Sequence, residues 1–114
     1  MRIDGPALLA RIYLGESDRW EGRPLYEAIV QKLRSSGVAG ATVLRGFEGY
    51  GRAARVHTAQ ILRLSEDLPI LIEVVDREDR LRAVLPEIDA MVDGGLITLE
   101  HVEVIAYRSP EPTE

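Results

Sequence analysis

Residues 41–64 hold Arg45, Arg52, Arg55 and Arg63 against one acid, Glu48. This stretch is therefore +3 in a chain of net −5, and the remainder sums to −8. A guanidinium offers several N–H donors in one plane, the geometry that phosphate and carboxylate groups accept. Gly46-Phe-Glu-Gly-Tyr-Gly51 lies within the same stretch. Its three glycines let backbone N–H groups approach an anion closely. Arginine and glycine in one loop predict a site for a small anionic ligand, a nucleotide among the candidates. The plain alternative is a solvated hairpin in a chain that uses Arg for nearly all its positive charge.

Other candidate groups are sparser. His57 falls beside the arginines, where a structural role is the simpler reading, and His101 reads as a solvent-facing residue. Glu73 sits inside an apolar run and needs a partner if buried; an arginine from another subunit is the simplest one. Trp20, in the polar stretch 15–22, either caps the core edge or covers a cleft. Asp76, Glu78 and Asp79 suit a helix N-terminus better than a magnesium site. There is no Cys, which removes disulfides, thiolate metal sites and thiol nucleophiles. Two His leave little for a transition metal, and no serine sits in a nucleophile elbow. No catalytic residue, metal or cofactor is called for, and the chain is not expected to be an enzyme.

The elements that would carry these residues follow from periodicity. Ala7–Leu14 alternates, with Leu8, Ala10, Ile12 and Leu14 on one face and Arg11 and Tyr13 on the other, so it reads as a strand. Residues 15–22 read as a loop. Pro24 suits a helix's first turn, Leu25, Ile29 and Leu33 recur at helical spacing, and Gly37 ends the helix. Ala41–Arg45 is a second strand, and 56–64 has strand-like content. Pro69–Val75 is a near-continuous apolar run, the mark of a strand buried on both faces. Asp76 is placed as the N-cap of a second helix whose stripe runs from Leu81 to Val92. Pro86 should kink or restart that helix, and Asp93-Gly-Gly95 stops it. Ile97–Tyr107 is the last strand, with a bulge expected near His101, and 109–114 is a flexible tail.

Strand, helix, strand, extra strand, strand, helix, strand is the split βαβ order of an α+β, ferredoxin-like βαββαβ fold. The extra strand or hairpin falls between strands 2 and 3. A length of 114 residues suits one domain, 1–114, with its core over 7–107. Two helices cover one face of such a sheet. Leu71 and Val75 make the second face apolar, which points to self-assembly through it. The acidic balance argues against nucleic acid as a partner. No segment is apolar enough to span a bilayer, and a cytoplasmic location is the expectation.

Four stretches then resemble a known family. They are Gly40-Ala-Thr-Val-Leu-Arg-Gly-Phe-Glu-Gly-Tyr-Gly51, Val56-His-Thr58, Leu64-Ser-Glu-Asp-Leu-Pro69 running on to Val75, and Asp93-Gly-Gly-Leu-Ile-Thr98 with Val102–Tyr107. Together they look like the nitrogen-regulatory PII signalling proteins, and more closely like the uncharacterised PII-like family of small proteins. The resemblance spans about residues 7–107. It implies a homotrimer with sheets turned inward and a ligand cleft between neighbouring subunits. Carried over by motif, Thr42, Gly49, Tyr50, Gly51, Arg52, Gly94, Gly95 and Arg108 would line that cleft, and the arginine-rich loop adds Arg45 and Arg55 as further anion contacts. It implies signalling through a protein partner, for which a membrane channel or transporter is one candidate. The chain departs from the PII pattern at Ala53, Ala54, Leu96 and Ala106, where PII proteins carry polar or basic residues. Contacts to an ATP phosphate chain would be fewer as a result. The rival readings are a small ferredoxin-like enzyme, an isomerase or cofactor-free oxygenase using Glu73 or His57, and a purely structural trimer.

Overall fold

The computed structural model describes residues 2–50, the backbone of 57–58, and residues 67–110. Strand β1 (Arg2–Gly15) leads into a two-residue hairpin pair, β2 (Arg19–Trp20) and β3 (Arg23–Pro24), and then helix α1 (Leu25–Ser35). Next come β4 (Thr42–Arg45), β5 (Glu48–Gly49), β6 (His57–Thr58), β7 (Pro69–Asp76), helix α2 (Glu78–Met91) and β8 (Leu96–Arg108). Four strands form one sheet in the order β4-β7-β1-β8, all neighbours antiparallel. The short β5–β6 ladder falls in sequence between β4 and β7, where an extra hairpin was expected.

Period-2 alternation decides which face each residue serves. Leu8, Ala10, Ile12 and Leu14 of β1 and Ile70, Ile72 and Val74 of β7 are buried. They join Leu25, Ala28, Ile29 and Leu33 of α1 and Leu81, Val84, Ile88 and Met91 of α2 in one core. Both helices therefore clad the same side of the sheet. Gly37 takes φ +82°, Gly37 N–H donates to Arg34 O, and Val38 N–H donates to Leu33 O. That pattern satisfies the last carbonyls of α1, and Val38 tucks back into the core beside Leu33. Glu21 and Gly22, both at positive φ, close the β2–β3 hairpin in the turn its twist favours.

Several sequence expectations are corrected. β1 starts at Arg2, because residues 2–7 pair with the end of β8 as a two-stranded ribbon beyond the point where β7 stops. The bulge lies in β8, where Ile105 and Ala106 oppose the single residue Asp4 of β1, and not near His101; Gly5, at φ +81°, stands beside it on β1. Residues 19–24 form a hairpin and not an open loop. α2 runs through Pro86 without a restart. Arg77, not Asp76, is its N-cap residue. β7 is not buried on both faces, since Val75 is exposed. Of the strand expected at 56–64, His57 and Thr58 form β6, and the rest lies outside the described residues, as does 111–114.

Asp76 is the one fully buried charged side chain among the described residues. Its carboxylate accepts from Ala39 N–H at 2.9 Å and Arg77 N–H at 2.7 Å, and Arg80 Nη1 lies 3.5 Å away. Tyr107 O–H donates to Ala39 O at 3.2 Å. Both polar groups of the Ala39 peptide are thus held by side chains from β7 and β8, which fixes the approach to β4. At the first turn of α2, a hydrogen bond from Arg82 lowers the carboxyl pKa of Glu78, and one from Arg77 does the same for Asp79. Each therefore favours the folded state above the carboxylate range, and that contribution is lost as pH falls through it. Among the described residues no helix is long and apolar enough to cross a membrane.

Asp76→Ala leaves two buried N–H groups without an acceptor and is expected to destabilise the fold by about 2–4 kcal/mol. Asp76→Asn, which keeps one acceptor, should cost roughly half as much. Urea denaturation read by circular dichroism checks both, and equal midpoints for Asp76→Ala and the parent chain would contradict the clamp.

Candidate functional site

The glycine-rich turn is shaped by one proline. After β4, Gly46 N–H donates to Pro69 O at 2.6 Å. A Cβ on Gly46 would stand 2.6 Å from Pro69 Cγ, and one on Gly49 would stand 3.2 Å from the same atom. Glycine is needed at Gly46 so that the turn can lie flat on the start of β7. Phe47 and Tyr50 then project outward, each about 70% exposed.

β4 sends its two polar candidates to opposite faces. Thr42 pairs with Glu73 and shares the open face, and Arg45 pairs with Ile70 on the helix side. Arg45 is already engaged. Glu16, which follows β1, takes its guanidinium in a two-point ion pair, with Nε to Oε1 at 3.2 Å and Nη2 to Oε2 closer still. Glu16 is itself anchored, its N–H donating to Leu68 O at 2.8 Å. Next to it, Asp67 accepts from Ser17 N–H and Ser17 O–H, and Asp18 accepts from Gly15 N–H. This end of the sheet is thus richer in carboxylates than the sequence reading supposed.

Gly94 and Gly95 have different reasons to be glycine. A Cβ on Gly95 would fall 2.6 Å from Tyr13 O and 3.0 Å from Val92 Cγ1, whereas one on Gly94 meets nothing within 4 Å. Gly95 lets the chain leaving α2 press against β1. Gly94 lines a cavity of about 500 Å³ between the segment Asp18–Glu21 and the end of α2. Trp20 does both things proposed for it: it packs on the core and it walls this cavity.

The candidate residues fall in three places on one protomer. Register puts Leu96 level with Tyr13, and Leu71 joins Tyr13 to Leu44. The Gly94–Gly95 turn and the β4 turn are therefore at the same end of the sheet but on opposite edges, about 14 Å apart at three strand spacings. Arg108 pairs with Arg2, twelve positions along β1 from Leu14, or about 40 Å at roughly 3.3 Å per residue. Gly51, Arg52 and Arg55 lie outside the described residues.

The open face carries a charged centre. Arg11 Nε donates to Glu73 Oε2 at 3.0 Å, and Arg11 Nη1 donates to Glu100 Oε1 at 3.1 Å. Those bonds, Glu73 first, raise the guanidinium pKa further. Glu73 thus finds an arginine within its own chain. Around this triad the face is apolar, with Tyr13, Leu44, Val75 and Leu96 exposed. The sequence named Arg45 and Glu73 but not their partners, because Glu16 and Arg11 become neighbours only once strand register is set.

Comparison with known proteins follows the same lines. Residues 7–104 match the family DUF190, described as an uncharacterized ACR. The chain is 37% identical over 105 residues to a UPF0166 protein of Aquifex aeolicus, covering 92% of this chain and 98% of that one. It is 39% identical over 99 residues to a UPF0166 protein of Methanocaldococcus jannaschii, covering 86% and 91%. Among solved structures it is similar to CPII, a nitrogen regulatory PII-like protein from Thiomonas intermedia K12, bound to ADP, AMP and bicarbonate. The TM-score is 0.64 at 17% identity, over 91% of this chain and 98% of that chain. A PII-like signaling protein from Thermus thermophilus gives TM-score 0.64 at 17% identity, over 90% and 94%. The chain belongs to the DUF190 family, and its fold is the ferredoxin-like fold of PII-like proteins.

The two glycines differ in what a side chain would meet. Gly95→Ala is expected to destabilise the protein by about 1–3 kcal/mol through overpacking against Tyr13 O, while Gly94→Ala should leave the thermal midpoint within a degree or two. Thermal unfolding of both variants checks this, and a midpoint for Gly95→Ala equal to that of Gly94→Ala would contradict it.

Proposed function

We propose that this DUF190 chain is a PII-like sensor that binds a small anionic ligand of the adenine-nucleotide class in a cleft completed by a second copy. The observation that carries the reading is the split placement of the glycine turns. The turn seated on Pro69 and the Gly94–Gly95 turn occupy one end of the sheet at opposite edges. Within a protomer β7 and β1 lie between them. Between copies set edge to edge they would face each other, and the distant Arg108 would come from the strand end of a neighbour. The apolar ring around the Arg11 triad gives the copies a reason to meet, since exposed apolar surface of this kind is favourably buried. Three copies, sheets inward, is the proposed assembly. That CPII, which shares this fold, was solved with ADP, AMP and bicarbonate supports the ligand class.

The anion would draw on Arg45, Arg52, Arg55 and Arg108, with backbone N–H groups near Gly49, Gly51, Gly94 and Gly95 and with Thr42 and Tyr50 at its edge. Glu16 competes for Arg45, so a ligand reaching that guanidinium must displace an internal carboxylate. Occupancy would reset the segment 46–55, and a partner protein would read it, with Phe47 and Tyr50 as exposed aromatic contacts. A membrane channel or transporter is one such partner. A catalytic use of Glu73 fits less well. Its carboxylate is held by Arg11 on an open face rather than aimed into an enclosed pocket.

Titration calorimetry against AMP, ADP and ATP, paired with sedimentation, tests the reading. The chain is expected to sediment as a trimer and to bind at least one nucleotide. Arg108→Ala should weaken binding about 10–100-fold, the loss of one charge-assisted contact, with the trimer intact. Leu71→Asp should yield protomers that no longer bind. A parent chain that sediments as a protomer yet binds fully would overturn the shared cleft, and no heat with any nucleotide would overturn the ligand class.

A further inference from the structure

We propose that the cavity between the β2–β3 hairpin and the end of α2 is a binding site for a small organic cation, a primary amine or guanidinium compound. The cavity borders the proposed nucleotide cleft at Gly94, but a cation site there does not rest on that reading. Its first support is shape and lining. The cavity, about 500 Å³, has Leu25 and Met91 as an apolar floor and Trp20 as a wall. An indole face within reach of a cation attracts it through the ring quadrupole.

The second support is charge. Asp18, Glu21 and Asp93 reach the lining against the single cation Arg19. Arg19 is already turned to the hairpin, its Nη2 donating to Gly22 O at 2.7 Å. Asp18 is likewise engaged, by Gly15 N–H. Glu21 and Asp93 have no ion-pair partner among the described residues.

The third support comes from helix electrostatics. α2 opens correctly, with Glu78 and Asp79 in its first turn, but its last turn has no basic residue. Asp89 and Asp93 instead flank the end where the backbone carbonyls already concentrate negative charge. Acids at that position work against the helix unless a cation joins them. α1 also begins at this cavity, but its first N–H is occupied by the Asp18 carbonyl at 2.8 Å. A ligand ammonium or guanidinium would sit between Trp20 and the carboxylates of Glu21 and Asp93, its carbon chain over Met91.

The chain holds a single Trp, so its indole emission reports on Trp20 and its immediate surroundings. Agmatine and spermidine should each change the emission saturably, and sodium chloride at matched ionic strength should not. Asp93→Asn should weaken the response at least tenfold, and Asp93→Glu should restore most of it. Asp79→Asn, an acid at the other end of α2, should respond as the parent does. Equilibrium dialysis with labelled spermidine covers binding that leaves the emission unchanged. No saturable binding by either method, or equal binding by Asp93→Asn, would overturn the site. Calorimetry with AMP on the Asp93→Asn variant keeps the two readings apart: nucleotide binding should survive where cation binding is lost.

Discussion

β1 is bound on both edges, by β7 and by β8, and it presents two faces with opposite demands. One face must meet both helices and is built of Leu8, Ala10, Ile12 and Leu14 without a polar interruption. The other carries Leu9, Arg11 and Tyr13, which no helix covers. A strand this constrained tolerates no register slip, since moving it by one residue would put Arg11 into the core. The position of every candidate residue follows from that register. It places Arg45 beside Glu16, Gly95 against Tyr13, and Arg108 at the far end of the molecule.

The open face shows how a polar group can sit in an apolar surface at little cost. Arg11 is held by Glu73 from one neighbouring strand and Glu100 from the other. The pairs are about one-third or more exposed, so they add little stability to an isolated protomer. Their value lies in what they allow. A guanidinium already paired can be covered by another copy without leaving an orphaned charge, and the surrounding Leu and Tyr side chains supply the favourable burial. The triad retains one net negative charge, which disfavours close approach of identical faces unless they are offset. That is consistent with an arrangement around an axis and less so with flat stacking of two sheets.

Much of the fold was legible in the sequence, because alternation in β1, the 3.6-residue stripes of the helices and the glycine at 37 are local signals. The sequence also placed the glycine-rich turn and an extra hairpin after β4. What it missed has a common cause. Residues 2–6 have no strand signature of their own and become a strand only because the end of β8 lies beside them. The β2–β3 hairpin rests on Glu21 in a left-handed conformation that a polar loop reading does not anticipate. Asp76 looks like a capping residue from its neighbours and does accept from Arg77 N–H, yet its carboxylate also holds Ala39 N–H, 37 positions away. The pairings of Arg45 with Glu16 and of Glu73 with Arg11 are equally non-local. Sequence named the charged groups correctly and their partners poorly, since a partner depends on topology.

That distinction bears on what the molecule can bind. Charge counting along the chain makes 41–64 a basic island, and an anion site follows from it. In three dimensions the island's described arginine is neutralised by Glu16, while Asp18, Asp67 and Asp93 gather at the same end of the sheet. A negatively charged ligand there must win Arg45 from an anchored carboxylate, so its affinity would rest mainly on backbone N–H groups and on guanidinium groups from elsewhere. Such a site discriminates by geometry more than by charge. An anion that bridges two edges gains contacts from both, whereas a smaller one leaves Glu16 in place. The proposed cation site lies at this same end of the sheet, at the end of α2, where carbonyls and acids coincide around Trp20. Two neighbouring sites of opposite preference would let one end of the sheet respond separately to an anion and to a cation.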